Sequence, residues 1–195
     1  MSDPAFHGLS IASRPALAAV HSGRHGASRG EPGVTLRALP EGFLLHLLAR
    51  PGDAAGEESA KALAARLGVP LRKTSPGQWY VAGDQPMTAA EQAALASGLE
   101  STLAISDQSH GRVRMAVSGP DVGKALAKLV AADLKPKSFP VGHSTTLFAG
   151  HMAAHAYRAA EDAFEITVLR GFALDLWESI EQAAREFGVE CVGPK

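Results

Sequence analysis

The order of predicted elements constrains the fold of this chain most, because one order occurs twice along its 195 residues. Residues 43–105 predict strand, helix, strand, strand, helix, strand, and the second half of the chain repeats this order. It is the order of elements in a ferredoxin-like unit. We therefore predict an α+β fold of two tandem ferredoxin-like subdomains, with helices covering one face of largely antiparallel sheets.

Local patterns define the elements of the first half. The apolar run at residues 43–49 has the length of a strand, and a helix is predicted over residues 57–67, with Gly68 ending it. Thr88 and Glu91 match a capping box at the start of a second helix. Three further strands are predicted at residues 69–72, 78–82 and 103–105.

Alternation defines the elements of the second half. Val113, Met115 and Val117 alternate with more polar residues, which predicts a strand with one buried face. The sequence Gly119-Pro-Asp121 favours a helix start. The remaining predictions are a hairpin of strands 144–149 and 152–158, a strand at 164–168, a helix over 172–187 with Trp177 in the core, and an edge strand at 189–192.

The N-terminal segment has a different composition. Residues 1–35 are rich in glycine, serine, proline, histidine and alanine, and they lack helical and strand periodicity. Such a segment buries too little apolar surface to offset the entropy lost on ordering. We expect a flexible or partner-docking tail at residues 1–35, a first ferredoxin-like subdomain at 36–106 and a second at 107–195.

Charge and cysteine content limit the classes of partner and compartment. The formal net charge is -1 and the basic residues are scattered, which gives no reason to expect nucleic acid as a partner. Neither a signal-peptide pattern nor an apolar run of spanning length is visible, so we expect no membrane association. The single Cys191 is typical of a reducing compartment, and we expect a cytoplasmic protein.

Residues 107–112 contain the side chains of acid/base chemistry. Asp107, Ser109, His110 and Arg112 lie between two predicted strands, where side chains often project into clefts. The alternative is a structural turn, in which Asp107 and Ser109 make Asx-type bonds, Gly111 supplies an unusual backbone angle and Arg112 pairs on the surface. We treat these four polar residues as candidates for partner or ligand contact.

Other patterns give little support for chemistry on this chain. His151 and His155 have the spacing of two helical metal ligands, but no glutamate lies between them, and on a strand their rings would be about 13 Å apart. No nucleotide-binding motif occurs in the glycine-rich residues 23–33. We therefore predict no catalytic, cofactor-binding or metal-binding residues.

Five separated motifs together resemble the gamma subunit family of heterotetrameric sarcosine oxidase. The resemblance extends over about residues 100–190 and is weak in the first hundred residues. The motifs are Asp-Gln-Ser-His-Gly-Arg at 107–112, Ser-Gly-Pro at 118–120, Asp-Leu-Lys-Pro-Lys-Ser-Phe-Pro-Val-Gly at 133–142, Thr-Thr-Leu-Phe-Ala-Gly-His at 145–151, and Phe-Glu-Ile-x-Val-x-Arg-Gly-Phe at 164–172.

This resemblance implies a fold related to the folate-binding aminomethyltransferase domain. It also implies a complex that oxidatively demethylates sarcosine to glycine and transfers the one-carbon unit to tetrahydrofolate. By resemblance, the beta subunit carries FAD and FMN, the alpha subunit carries NAD and the folate site, and the delta subunit carries zinc. This chain would be a non-redox structural subunit, with the alpha, beta and delta subunits as its partners.

Two other functions remain open at this point. The chain could be an independent module that binds folate or a related one-carbon ligand. It could also be a stand-alone aminomethyltransferase, although only the fold analogy supports that function.

Overall fold

The structure is a computed structural model that describes residues 14–27, 30–52 and 55–194. Within these ranges, eleven strands form two sheets and four α-helices pack against them. The strands are β1 (Gly23–His25), β2 (Val34–Ala38), β3 (Phe43–Ala49), β4 (Arg72–Ser75), β5 (Gln78–Gly83), β6 (Leu103–Asp107), β7 (Arg112–Ser118), β8 (Ser144–Ala149), β9 (Met152–Ala160), β10 (Ala163–Leu169) and β11 (Val189–Val192). The helices are α1 (Gly56–Leu67), α2 (Ala89–Ser97), α3 (Val122–Ala127) and α4 (Ala173–Ala184), and 3-10 turns at Arg170–Phe172 and Arg185–Phe187 flank α4.

The smaller sheet has the strand order β4-β5-β3-β6, and all its neighbouring strands are antiparallel. With α1 and α2 between the strands, this is the ferredoxin-like arrangement that the sequence predicts. Gly68 ends α1 in the left-handed conformation, and Thr88 and Glu91 form the predicted capping box of α2. The strand predicted at 69–72 begins later, at Arg72.

The larger sheet has the order β1-β11-β2-β7-β10-β9-β8. Strands β7, β9, β10 and β11 with α3 and α4 form a second α+β unit, into which β2 inserts between β7 and β11. The strand predicted at the sheet edge, β11, therefore lies inside the sheet, parallel to β2 and covered on its other side by β1. The edge prediction was wrong because the sequence analysis assigned no strands to the N-terminal residues that flank β11.

The N-terminal segment differs from the predicted tail where it is described. Residues 23–25 form β1, and residues 34–38 form β2, whose Val34, Leu36 and Ala38 are buried in the larger core. Strand β2 thus joins the sheet of the second subdomain. The predicted boundary at residues 35 and 36 instead divides this strand between the tail and the first subdomain. Residues 1–13 and 28–29 of the predicted tail lie outside the described residues. The three-part division of the chain stays a prediction.

The two sheets pack face to face, and the helices lie on their outer faces. The larger core joins the outer side of the seven-stranded sheet to α3 and α4 and contains Trp177, as predicted. The smaller core joins the four-stranded sheet to α1 and includes Trp79. On the facing sides, contacts such as Arg72 to Glu165 and Tyr80 to His155 join the sheets, so the layer between them is largely polar, with one small apolar cluster of Leu44, Tyr80 and Ala82.

Candidate functional site

The turn at residues 107–112 leads from β6 of the smaller sheet to β7 of the larger one. The Asp107 carboxylate accepts hydrogen bonds from the backbone N–H and the hydroxyl of Ser109, at 2.9 and 2.5 Å, and from Gln92 at 3.0 Å. The Ser109 hydroxyl accepts the N–H of Leu44 at 2.9 Å. Partial burial alone would raise the pKa of Asp107, but these bonds outweigh it and lower that pKa. Asp107 therefore fastens the turn to α2 through Gln92, and Ser109 fastens it to β3 through Leu44.

The other two candidate residues have different surroundings. His110 is exposed, whereas the Arg112 guanidinium lies over the Tyr80 ring, 5.2 Å from its centroid. The surface ion pair expected for Arg112 is absent among the described residues, because the side chain turns inward between the sheets. Gly111 also lacks the positive φ expected of it. Of the four candidates, Asp107 and His110 are exposed, and Asp107 already bonds to Ser109 and Gln92, so His110 offers the more available side chain for a partner.

Beneath this turn, a buried ion network joins the two sheets. Arg72 of β4 binds Glu165 of β10 through two hydrogen bonds of 2.7 and 2.9 Å. Arg114 of β7 lies 3.5 Å from Glu165 and 2.6 Å from Asp84. The Arg72 and Arg114 side chains are each 6% exposed and Glu165 is 12% exposed. Such a network specifies the relative position of the sheets, since each charge requires its partner.

A row of aromatic rings continues the polar layer. Tyr80 makes edge contacts with His46, at 4.9 Å between ring centroids, and with His155, at 5.2 Å. Burial, together with the charges of Arg72 and Arg112, lowers the pKa of His155 to about 4, although the hydrogen bond to the Lys73 carbonyl acts in the opposite direction. The neutral ring donates from Nε2 to the Lys73 carbonyl at 3.1 Å. His155 is therefore a structural residue between the sheets, while His151 lies in the β8–β9 turn.

Acidification is expected to weaken the fold through His155. Between pH 6.5 and 4, unfolded His155 binds a proton and folded His155 does not, so stability falls as the pH falls. The contribution lost by pH 4 is about 3 kcal/mol. Urea unfolding of His155→Gln should lack this part of the pH dependence, whereas the exposed-turn control His151→Gln should retain it. An equal pH dependence in wild type and His155→Gln would contradict this assignment.

Two of the sequence motifs meet at one end of the larger sheet. The N–H of Arg170 donates to the carbonyl of Gly111 at 2.9 Å, and Leu169 pairs in register with Arg112. The Arg170 guanidinium binds Glu41 at 2.9 Å and the carbonyl of Arg14 at 2.6 Å. Arg170 therefore connects the β6–β7 turn to the N-terminal segment.

Exposed apolar side chains cluster at this same end. Phe148 of β8 is 66% exposed, and Leu169 and Phe172 are 43% and 40% exposed. Phe148 pairs with Ala153, which lies beside Leu169 in the next strand, and the Phe172 ring contacts His151 at 6.4 Å. We call Phe148, Leu169 and Phe172 the apolar end surface.

The other two motifs lie at the opposite end of the sheet, where their role is structural. Arg158 is buried and donates to the carbonyls of Leu134 and Phe139, at 2.9 Å each, as well as to those of Ala160 and Glu161. It thereby fastens the loop at residues 131–143. Gly119 has φ of +122°, and a Cβ there would lie 2.4 Å from the Gly33 carbonyl, so this position requires glycine.

A cavity of about 470 Å³ lies between the N-terminal segment and the larger sheet. Its lining includes the apolar Leu17 and Val113 and the charged Arg37, Glu41 and Asp84. A concave site with mainly apolar walls and a few charged groups has the general character of a small-molecule site.

The sequence analysis missed the ion network and the apolar end surface. A signal for the network was present, because Arg114 and Glu165 occupy alternate positions of strands whose other face is apolar. The alternation of these strands predicted only one buried face. The apolar end surface has a weaker signal, since a single phenylalanine in a strand is usually part of a core.

Comparison with known proteins identifies the family. The sequence profile of the GCVT N-terminal domain matches residues 71–195. The chain belongs to the GCVT N-terminal domain family. No curated protein gives a significant match. Within the described ranges, no helix is long and apolar enough to cross a membrane.

Two solved structures extend this family assignment. A chain of heterotetrameric sarcosine oxidase from Corynebacterium sp. U-96, solved with pyrrole 2-carboxylate, is 25% identical, with a TM-score of 0.69 over 84% of this chain and 88% of that chain. Glycine cleavage system aminomethyltransferase T from Bartonella henselae is 16% identical, with a TM-score of 0.56 over 83% of this chain and 48% of that enzyme. The aminomethyltransferase shares the fold, and the predicted likeness to the sarcosine oxidase gamma subunit family is confirmed.

Proposed function

We propose that this chain is the gamma subunit of a heterotetrameric sarcosine oxidase, with a structural role in assembling the complex. The observation that supports this most is the 25% identical match to a chain of the Corynebacterium complex, because it covers most of both chains. The match to the aminomethyltransferase covers only 48% of that enzyme. A whole-chain match favours a subunit of similar extent over a complete aminomethyltransferase.

The contacts of the motif residues agree with a structural role. Asp107, Ser109, Arg158 and Arg170 make hydrogen bonds that fasten loops and sheets, and Glu165 is part of the buried ion network. The proposed complex oxidatively demethylates sarcosine to glycine and passes the one-carbon unit to tetrahydrofolate. FAD, FMN, NAD, the folate site and zinc would then be held by the alpha, beta and delta subunits in the cytoplasm, and we assign no catalytic residue to this chain.

The apolar end surface is the proposed contact with a partner subunit. It combines exposed aromatic and aliphatic side chains, which dominate the energetics of protein interfaces, with the exposed His110 nearby. Replacing Phe148 or Phe172 should change the free energy of unfolding little, because both side chains are exposed. Their replacement should therefore separate assembly from folding.

Capture of partner subunits is expected to depend on these two phenylalanines. After co-expression with the other subunits, the tagged double variant Phe148→Ser and Phe172→Ser should capture at least about tenfold less flavin-containing partner than wild type, because aromatic anchors carry much of an interface's energy. Val141→Ser is the matched control, since Val141 is also exposed but belongs to the loop at the opposite end. Undiminished capture by a folded double variant would exclude this surface, whereas no capture by the wild type would count against the subunit proposal itself.

An independent folate or one-carbon-ligand module is the alternative, and the cavity at the N-terminal segment favours it. Its volume of about 470 Å³ lies within the usual range for small-molecule sites. Arg37 at its wall could pair with a carboxylate of the ligand. Titration of the isolated chain with tetrahydrofolate, followed by calorimetry and by protein fluorescence, tests this alternative. The absence of both a heat signal and a fluorescence change would exclude it.

A further inference from the structure

Three side chains with metal-binding chemistry meet on the outer side of the larger sheet, away from the apolar end surface. His25 comes from β1, Cys191 from β11 and Glu181 from α4. One donor atom from each residue lies within 4.8 Å of the other two. Because three separate elements supply one residue each, the sequence alone gives no spacing motif for this cluster.

The backbone holds these residues in a fixed arrangement. Strand β1 pairs with β11, so that Gly23 is opposite Cys191 and His25 is opposite Val189. The N–H of Ala27 donates to the carbonyl of Arg185 at 2.9 Å, which fastens the end of β1 to the turn after α4. Gly26 approaches Arg185 so closely that a Cβ would lie 2.0 Å from its carbonyl oxygen. This packing restricts how far the three donors can move apart.

The surroundings of the donors favour a ligand. Nε2 of His25 is buried and has no hydrogen-bond partner among the described residues, which is an unfavourable state for an imidazole nitrogen. Nδ1 of the same ring lies 3.9 Å from the Glu181 carboxylate. Cys191 is buried beside them. A cation bound at this nitrogen would give it a partner, and it would offset the charges of the carboxylate and of the thiolate that forms when the metal displaces the thiol proton.

We infer that His25, Glu181 and Cys191 bind one divalent transition-metal ion of the zinc type. Nitrogen, carboxylate oxygen and thiolate sulfur are the donors that zinc accepts, and a water would complete a tetrahedral site. Binding would release the thiol proton to solvent and would draw the donors inward by roughly 1 Å, to reach bond lengths of about 2.0 to 2.3 Å. This site differs from the zinc of the delta subunit that the resemblance implies, and it does not depend on the proposed oxidase function.

Arg185 provides a second, opposite test of the same site. Its guanidinium binds the Glu181 carboxylate at 2.8 Å and thus competes with a cation for that ligand. The Arg185 side chain is about half exposed, so it can swing away from Glu181 when a metal binds. Removing this charge should strengthen metal binding, whereas removing a ligand should weaken it.

The test is titration of the full, untagged chain with Zn²⁺ by calorimetry and with Co²⁺ by absorption. We expect one ion per chain and a thiolate-to-cobalt charge-transfer band. Cys191→Ala should abolish this band, His25→Ala should weaken Zn²⁺ binding by more than about tenfold, and Arg185→Gln should tighten it. His21→Ala is the control, because His21 is exposed and lies four residues before His25.

The outcomes separate a real site from incidental binding. Absence of Zn²⁺ binding, absence of a thiolate band, or equal affinity in His25→Ala and His21→Ala would overturn the inference. If Cys191→Ala fails to fold, which circular dichroism would show, the opposite changes in His25→Ala and Arg185→Gln still decide the result. Equal affinity in all folded variants would mean that the ion binds elsewhere.

Discussion

Glu165→Gln is expected to destabilise the chain by about 3–5 kcal/mol, because it removes the negative charge that Arg72 and Arg114 share between the sheets. Glutamine has nearly the same shape as glutamate, so the effect should come from the lost charge rather than from a cavity. Arg114 keeps Asp84 as a charged partner, whereas Arg72 keeps only the amide oxygen of the glutamine and its contact with the Tyr157 ring, at 5.0 Å from the centroid. The free energy of unfolding in urea, at neutral pH, measures this loss.

The same substitution at an exposed ion pair provides the control. Glu58 binds Lys61 at 2.8 Å on the surface of α1, and its side chain is 75% exposed. Glu58→Gln should cost less than about 1 kcal/mol, because solvent screens exposed pairs and their side chains lose entropy when they pair. Equal small losses in the two variants would show that the intersheet network does not hold the sheets together.

Arg158→Met is expected to cost about 4 kcal/mol and to loosen the loop at residues 131–143. Methionine keeps most of the apolar stem, but it leaves four carbonyl oxygens without their donor. The bonds to the carbonyls of Leu134 and Phe139 are buried, and each buried unsatisfied acceptor costs about 1–3 kcal/mol. The contact of the guanidinium with the Phe164 ring is lost as well. Urea unfolding should show the lower stability, and limited trypsin digestion should show faster cleavage after Lys137, which precedes Ser138 within the loop.

Two further variants define the cause of this effect. Arg158→Lys should recover little stability, because an ammonium group cannot reproduce the planar fork that reaches separate carbonyls. Lys137→Met, in the same loop but exposed, should leave stability within about 0.5 kcal/mol of wild type. Full rescue by lysine would indicate that the positive charge matters and that the four directed bonds do not.

Local sequence patterns predicted most of the individual elements. The apolar run of β3, Gly68 at the end of α1, the capping box of α2 and the alternation of Val113, Met115 and Val117 each reflect a physical requirement within a few residues. These four elements could therefore be placed without knowledge of tertiary contacts. The ferredoxin-like order of the smaller sheet followed directly from them.

Long-range pairing was not predictable in the same way. Strand β2 contains only five residues, and its partners β7 and β11 lie about 80 and 155 residues further along the chain. The alternation of Val34, Leu36 and Ala38 was visible, but glycine and proline on both sides obscured it. The proposed metal-binding cluster could not be predicted for a similar reason, because His25 and Cys191 come together only when β1 pairs with β11.

For the candidate site, the sequence indicated the correct segments. Its alternative of a structural turn also gave the roles of Asp107 and Ser109, but not that of Arg112. Residues 107–112 and 164–172 do meet, Asp107 and Ser109 fasten a turn, and Arg112 points between the sheets. Burial decides these roles, and burial depends on the second sheet covering the polar face of the first. The Phe148 and Phe172 variants described above test the proposed partner contact at the apolar end surface.

The measurement that tests the account most directly is assembly and turnover of the complex with and without this chain. The alpha, beta and delta subunits would be co-expressed with or without it, followed by native mass measurement and assay of sarcosine-dependent oxygen consumption. We predict a flavin-containing four-subunit complex when this chain is present, and failed assembly with loss of sarcosine oxidation when it is absent. A complex that assembles and oxidises sarcosine at an unchanged rate without this chain would contradict the proposed function.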